Sequence, residues 1–278
     1  MTTHLLLIDC PDQPGLVHHV TGVVYRHGFN VVHNHEFVDT TTDEFFMRTV
    51  FTGDGDPGAV VHDCRALLPP PATVRLASTG KRRIVILATK EPHCVGELLL
   101  RASYADLPVE IAAVVSNYAA LGPLVTRFDV PFHYVDHEGL ERHEHEQAVL
   151  ETLAGYEPDY LVLAKYMRIL SPTFVARYPW RIINIHHSFL PAFVGARPYQ
   201  QAYARGVKII GATAHFVTDD LDTGAIIAQG VLPVDHSYTA TDMAQAGRSI
   251  EKTILAQAVQ LVAEERVFVH ENRTVVFA

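Results

Sequence analysis

A chain of 278 residues with 48% hydrophobic and 19% charged residues has enough aliphatic material for one large or two modest cores, which excludes a disordered chain. Its formal charge of −9, with no basic run longer than KRR at 81–83, excludes nucleic acid as the main partner. Three widely spaced cysteines (Cys10, Cys64, Cys94) exclude a disulfide framework or a cysteine-rich zinc site. The N-terminus has no signal-like segment and no stretch approaches the roughly 20 apolar residues of a membrane span, so a soluble cytoplasmic protein is expected.

The apolar run HLLLIDC predicts a first strand. In PDQPGLVHHVTGVVYRHGFN, Leu16, Val20, Val23 and Val24 recur at helical spacing, with Pro14 placed for a helix start and Gly28 for its end. NVVHNHEFVD and EFFMRTVFTG, parted by TTTD, predict a hairpin. PGAVVHDCRALLP predicts a second helix and TVRLAST a strand, completing a ferredoxin-like βαββαβ order. TGKRR at 79–83 marks a boundary, so the expected domains are 1–80 and 81–278.

Beyond it IVILAT, VEIAAVVSN and YLVLA are continuous apolar strands, as expected when helices cover both sheet faces. They alternate with helices in VGELLLRAS, LGPLVTRF and EGLERHEHEQAVLETLAGY. After RIINI, VKIIGATAHFV and GAIIAQGVLPV predict an antiparallel pair joined by TDDLDTG. TDMAQAGRSIEKTILAQAVQLVAEERV predicts a long helix and RTVVFA a last strand. The expected class is α/β: a ferredoxin-like domain, then a Rossmann-like, mostly parallel α/β domain that binds ligands beyond the carboxyl ends of its strands.

In INIHH at 183–187, strand alternation puts Asn184 and His186 on one face and Ile183, Ile185 and His187 on the other. An amide N–H can donate to a developing oxyanion and an imidazole can move a proton near neutrality, so the pair suits a carbonyl that becomes tetrahedral. Spacing alone equally allows a plain strand end. HFVTDDLDTG at 215–224 offers Asp219, Asp220 and Asp222 in what is ordinarily a solvated turn; a functional reading has a carboxylate orienting His186 or holding a water. His215 shares a strand face with Thr213 and Gly211, and is read either as a satisfied interior histidine or as support for that water. In RHEHE at 142–146, His143 and His145 do not share a helix face, so a solvated charged face is expected and no metal site.

NIHHSFLPAFVGARPYQQAYARGVKIIGATAHFVTDDLDTGAIIAQ resembles the formyltransferase family that uses 10-formyltetrahydrofolate, and the resemblance covers roughly residues 82–270. It implies a catalytic triad of Asn184, His186 and Asp222. LAKYMRILS at 163–171 resembles the family's folate-pocket segment, which implies contacts from Met167, Arg168, Ile169 and Leu170, with the turn carrying Val217, Thr218, Asp219 and Leu221 closing over the pterin ring. CPDQPGLVHHVTGVVYRHGFNVVHNHEFVD resembles an ACT domain with its D-x-P-G turn. That implies an amino-acid effector site marked by Asp12, Gln13, Pro14, Gly15 and Asn30. ACT domains often pair between subunits, and a free apolar sheet face is hard to leave in water, so a homo-oligomer (dimer or tetramer) is expected. ACT followed by a formyltransferase-like domain resembles the formyltetrahydrofolate deformylase family, which belongs to one-carbon metabolism and purine biosynthesis. FFMR at 45–48 and HCVGELL at 93–99 agree.

Whether the acceptor is an amine or water turns on departures from the family pattern. ATKEPHCVG stands where a glycinamide ribonucleotide transformylase needs a Gly-rich phosphate cradle; it carries Lys90, His93 and Cys94, and Pro92 removes a donor. A tRNA-directed enzyme would need a basic extension, and the chain ends soon after this domain. Hydrolysis to tetrahydrofolate and formate is therefore expected, with no metal and no cofactor, folate being the substrate. Transfer to a small amine is the alternative, and a sensor without turnover is disfavoured by the intact triad. His187 stands where amine-using relatives usually carry Pro and is read as packing or as narrowing the acceptor site; Ser188 follows it. Lys90, His93, Cys94, His187, Ser188, Thr213 and His215 are candidates of a second tier.

Overall fold

The computed structural model describes residues 1–78, 80–191 and 198–277; residues 192–197 of the motif quoted above lie outside the described residues. Contacts divide the chain into two units, Met1–Gly80 with Glu264–His270 and Val275–Ala278, and Lys81–Ala263 with Glu271–Thr274.

In the first unit, β1 (Thr2–Pro11), α1 (Leu16–Arg26), β2 (Asn30–Asp39), β3 (Glu44–Gly53), α2 (Pro57–Leu67) and β4 (Thr73–Ala77) follow the expected βαββαβ order. The sheet is antiparallel, in the order β2-β3-β1-β4. Alternation along β1 decides the packing. Leu6, Ile8 and Cys10 join Leu16, Val20, Val23 and Val24 of α1 and Val60 and Cys64 of α2 in one core, while Leu5 and Leu7 serve the opposite face. α1 begins at Leu16, with Gly15 rather than Pro14 just before it. α2 starts as its sequence predicts, with the Asp56 side chain accepting from the Gly58 N–H and Pro57 in the first turn.

The second unit comprises β5 (Arg82–Ala88), α3 (Pro92–Ser103), β6 (Val109–Ser116), α4 (Gly122–Val125), β7 (Phe132–Tyr134), α5 (Arg142–Ala154), β8 (Tyr160–Ala164), α6 (Pro172–Val175), β9 (Ile182–His186), α7 (Pro198–Arg205), β10 (Ile209–Phe216), β11 (Ile226–Pro233) and α8 (Ala240–Ala263). They build a seven-stranded sheet, β11-β10-β9-β8-β5-β6-β7, parallel from β7 to β9 and antiparallel across β9, β10 and β11. The chain runs outward from β5 through β6 and β7, then returns to the other side of β5 with β8 and β9. That reversal opens a crevice at the carboxyl ends of β5 and β8. β7, α6 and α7 are too short for a periodic pattern to reveal and were not expected. Thr239 and Asp242 cap α8 reciprocally, the Thr239 N–H donating to Asp242 at 2.9 Å and the Asp242 N–H to Thr239 at 3.2 Å.

Two expectations need correction. α8 stops at Ala263, and the Phe- and Val-rich tail forms the hairpin β12 (Val267–His270) and β13 (Arg273–Val276). Phe268 and Phe277 pack with Leu5, Leu7 and Phe46, so Glu264–His270 and Val275–Ala278 group with the first unit rather than with all of 81–278. Arg48 of the FFMR segment donates to the carbonyls of Glu264 and Glu265, both at 3.0 Å, and Arg75 pairs with Glu265 at 2.6 Å. The apolar sheet face expected to seek another subunit is thus partly covered by the chain's own tail. RHEHE is not a solvated face throughout either. His143 is exposed, but His145 and Glu146 are buried, His145 Nε2 donating to the Val135 carbonyl at 3.2 Å. Among the described residues no helix is long and apolar enough to cross a membrane.

Candidate active site

Asn184 and His186 project from the carboxyl end of β9, as alternation predicts. Antiparallel pairing with β10 sets His215 opposite Asn184 and Thr213 opposite His186. His215 Nδ1 lies 2.8 Å from the Phe216 carbonyl, which can only accept, so Nδ1 carries the proton and Nε2 is bare. Nε2 then accepts from the Asn184 amide at 3.2 Å. Burial holds His215 below the usual imidazole range and keeps this neutral form. The Asn184 amide nitrogen is thereby oriented, and among the described residues its second hydrogen has no acceptor.

Asp222 reaches the same spot from the turn between β10 and β11. Its φ is 57°, and the tight turn is closed by Gly224, where a Cβ would lie 1.8 Å from the Phe216 carbonyl oxygen. This gives the D-x-G spacing a steric reason. Asp222 Oδ1 stands 3.3 Å from His186 Nδ1 and 3.7 Å from His215 Nε2. The hydrogen bond from His186 holds the Asp222 carboxyl below the ordinary carboxylate range, against a smaller opposing effect of burial. With Nδ1 committed to Asp222, His186 Nε2 is buried without a hydrogen-bond partner among the described residues and available for chemistry.

The three residues line a cavity of about 580 Å³. All eight residues assigned to the folate pocket line it as well: Met167, Arg168, Ile169, Leu170, Val217, Thr218, Asp219 and Leu221. Met167 and Ile169 are 65% and 58% exposed at its mouth, apolar surface of the kind a flat ring would cover. The segment is pinned behind Leu170, where the Ser171 N–H donates to Glu146 at 2.8 Å and its hydroxyl also donates to that carboxylate.

The second-tier candidates separate. His187 and His215 line the cavity. Thr213 is a fastener: its hydroxyl accepts from the Leu190 N–H at 3.0 Å and donates to the Ser188 carbonyl at 2.9 Å, holding the segment that follows His186. Ser188 is buried and borders a smaller apolar cavity of about 130 Å³ that also touches His187 and Tyr199. Lys90 lies away from the large cavity, its ammonium 4.0 Å from the centre of the Tyr118 ring. His93 and Cys94 turn toward Glu251. These three could offer metal-ligating atoms within 4.8 Å of one another, but Glu251 already holds the Lys165 ammonium, and burial pushes the Cys94 thiol well above its usual range. Sequence reasoning missed Lys165, Tyr199 and Glu251; Lys165 lies within the LAKYMRILS segment but was not among the residues singled out there, and the other two are far away in the chain. In the first unit, Asp12, Gln13, Pro14, Gly15 and Asn30 are all exposed, and the Asp12 N–H donates to the Asp43 carbonyl at 2.7 Å.

Asn, His and Asp at the end of a parallel-strand crevice, beside a cavity with apolar side chains exposed at its rim, make an α/β domain equipped to polarise and attack a carbonyl. The formyl transferase family matches residues 82–259 and the ACT domain family residues 4–62. The chain is 56% identical over 267 residues to the formyltetrahydrofolate deformylase of Escherichia coli O6:H1, covering 96% of this chain and 95% of that protein. It therefore belongs to the formyltetrahydrofolate deformylase family. A crystal structure of a formyltetrahydrofolate deformylase from Pseudomonas syringae superposes with a TM-score of 0.93 at 37% identity, covering 99% of this chain and 94% of that one. Glycinamide ribonucleotide transformylase 1 from Symbiobacterium toebii is more distant, with a TM-score of 0.68 at 31% identity over 72% of this chain and 96% of that one.

Proposed function

We infer that this protein is a hydrolase that cleaves 10-formyltetrahydrofolate to tetrahydrofolate and formate. The observation that carries the reading is the convergence of Asn184, His186 and Asp222 on one end of a folate-sized cavity, in a chain of the deformylase family. The Asn184 amide, oriented by His215, donates to the formyl oxygen as it gains charge. A water attacks the formyl carbon and gives its proton to His186 Nε2. Asp222, on Nδ1, stabilises the imidazolium and keeps the ring in place. The bond from the carbon to N10 then breaks as His186 returns the proton to N10, leaving formate and tetrahydrofolate. Amide and imidazole supply the polarisation, so the residues call for no metal and no cofactor. Met167, Arg168, Ile169, Leu170 and the 217–222 turn hold the pterin end.

The ACT unit is read as regulatory, with an amino acid bound near Asp12–Gly15 and Asn30 and a homo-oligomer, dimer or tetramer, as its setting; the exposed Val32 and Phe37 of β2 support association of that sheet. The cytoplasm is the compartment in which the substrate is met. Two assays test the reading. Purified protein is incubated with 10-formyltetrahydrofolate and free formate is measured with and without amines: formate without any amine is expected, and formyl loss only when an amine is present favours the transferase. Activity and melting temperature are then followed across the amino acids, and flat responses remove the effector.

A further inference from the structure

A polar cluster with no part in the steps above stands beside the catalytic face. Glu251 on α8 is 1% exposed and takes three side chains from three other segments. His93 Nε2 on α3 lies at 2.7 Å, the Tyr199 hydroxyl on α7 at 2.8 Å, and the Lys165 ammonium at 3.2 Å, just past β8. Although burial alone would raise its pKa, the hydrogen bonds from His93 and Tyr199 and the Lys165 charge hold Glu251 down to about 2. Room for Tyr199 is built into α8 at Gly247, where a Cβ would lie 1.9 Å from the hydroxyl oxygen.

The cluster borders the reaction through His187, whose ring stacks on His186 at 5.2 Å and faces Tyr199 at 6.2 Å. Lys165 lines the catalytic cavity together with both histidines. Its φ is 60°, a left-handed conformation that favours glycine, so a long side chain kept there points to a use for it. Burial, with the charges of Lys165 and His186, pushes His187 down to about 4, which leaves it uncharged at neutral pH.

An amine acceptor arrives largely as an ammonium ion. On this wall it meets a fixed cation and a neutral imidazole, and the buried carboxylate that would attract it is already occupied. Water carries no net charge, so a fixed cation does not repel it. We propose that Lys165, by filling Glu251 from inside the cavity, keeps amine acceptors out and reserves the formyl group for water. This rests on the hydrolytic reading above.

The test gives the enzyme 10-formyltetrahydrofolate and glycinamide at neutral pH and quantifies formate and N-formylglycinamide. In the transfer reaction the amine nitrogen bonds to the formyl carbon, the bond from that carbon to N10 breaks, and an amine proton ends on N10. Wild type and Lys165→Arg are expected to yield formate almost alone. Lys165→Met raises the ratio of N-formylglycinamide to formate roughly tenfold or more, because the repulsive element is gone. Lys165→Met leaves a buried carboxylate without its cation, so the double variant Lys165→Met, Glu251→Gln is run beside it, with folding checked by thermal melting. A wild-type ratio in whichever of the two folds overturns the proposal. Failure of both to fold makes Lys165 a structural anchor and overturns it as well. A wild type that releases no formate overturns the hydrolytic reading instead.

Discussion

His186 is held at one ring nitrogen by Asp222 and has no hydrogen-bond partner at the other among the described residues, so the two residues act as a unit. Replacing either with a residue of similar size, His186→Asn or Asp222→Asn, is expected to lower the kcat for formate release by about 10³-fold or more, with KM changed only a few-fold. A loss below tenfold in steady-state assays would take these residues out of the chemistry. His215→Phe removes the acceptor that aims the Asn184 amide and is expected to lower kcat without abolishing it. The face shared by Asn184 and His186 was legible from strand alternation. The link from Asn184 to His215 was not, because it depends on the register of β10 against β9, which one strand's pattern does not contain. Lys165 and Glu251, separated by 86 positions, were still less legible: burial of both charges follows only from the way α8 packs.

Between elements, the site is kept in shape by side chains that bind backbone. Glu146 on α5 accepts two donors from Ser171, immediately after the folate segment. Glu146→Ala is expected to raise KM more than it lowers kcat, because the folate wall loosens while the triad stays; an unchanged KM would contradict this. Thr213→Val deprives the Leu190 N–H of its acceptor in a buried place and is expected to cost about 1–3 kcal/mol in chemical denaturation. Asn272 donates to the Thr223 carbonyl at 2.8 Å and braces the turn that carries Asp222. The long strands and helices were readable because their apolar periods run over many residues. β7, α6 and α7 have three, four and eight residues, and tertiary packing rather than pattern decides them. His145 shows the limit of helix-face reasoning: its face was judged from charged neighbours, yet it is buried beneath the strand end that supplies the Val135 carbonyl.

For the whole molecule, both units were foreseeable from a change of pattern near residue 80, but the tail was not. The Val267–His270 segment reads on from α8 in sequence, and its grouping with the first unit depends on aromatic packing across the length of the chain. Phe268→Ala opens that cluster and is expected to cost about 3–5 kcal/mol and to promote self-association, measurable by denaturation and by sedimentation.

Stability should also depend on pH in a definite direction. His145, His187 and His215 are all held below the usual imidazole range, burial being the largest cause in each. A group whose folded pKa is depressed contributes fully above its unfolded value and loses that contribution as pH falls. For His187 the window runs from 6.5 down to about 4, and the loss across it is on the order of 3 kcal/mol. The melting temperature should fall through that range, and His187→Asn should flatten part of the slope; a melting temperature constant from neutral pH to the bottom of the window would contradict the burial argument.

Attack by water on the formyl carbon leaves a solvent oxygen in the product, which isotope labelling can follow. The enzyme is supplied with 10-formyltetrahydrofolate in H2¹⁸O without any amine, and the products are weighed by mass spectrometry. Formate is expected to carry one oxygen from solvent and tetrahydrofolate none. Absence of formate, or formate without solvent oxygen, would contradict attack by water.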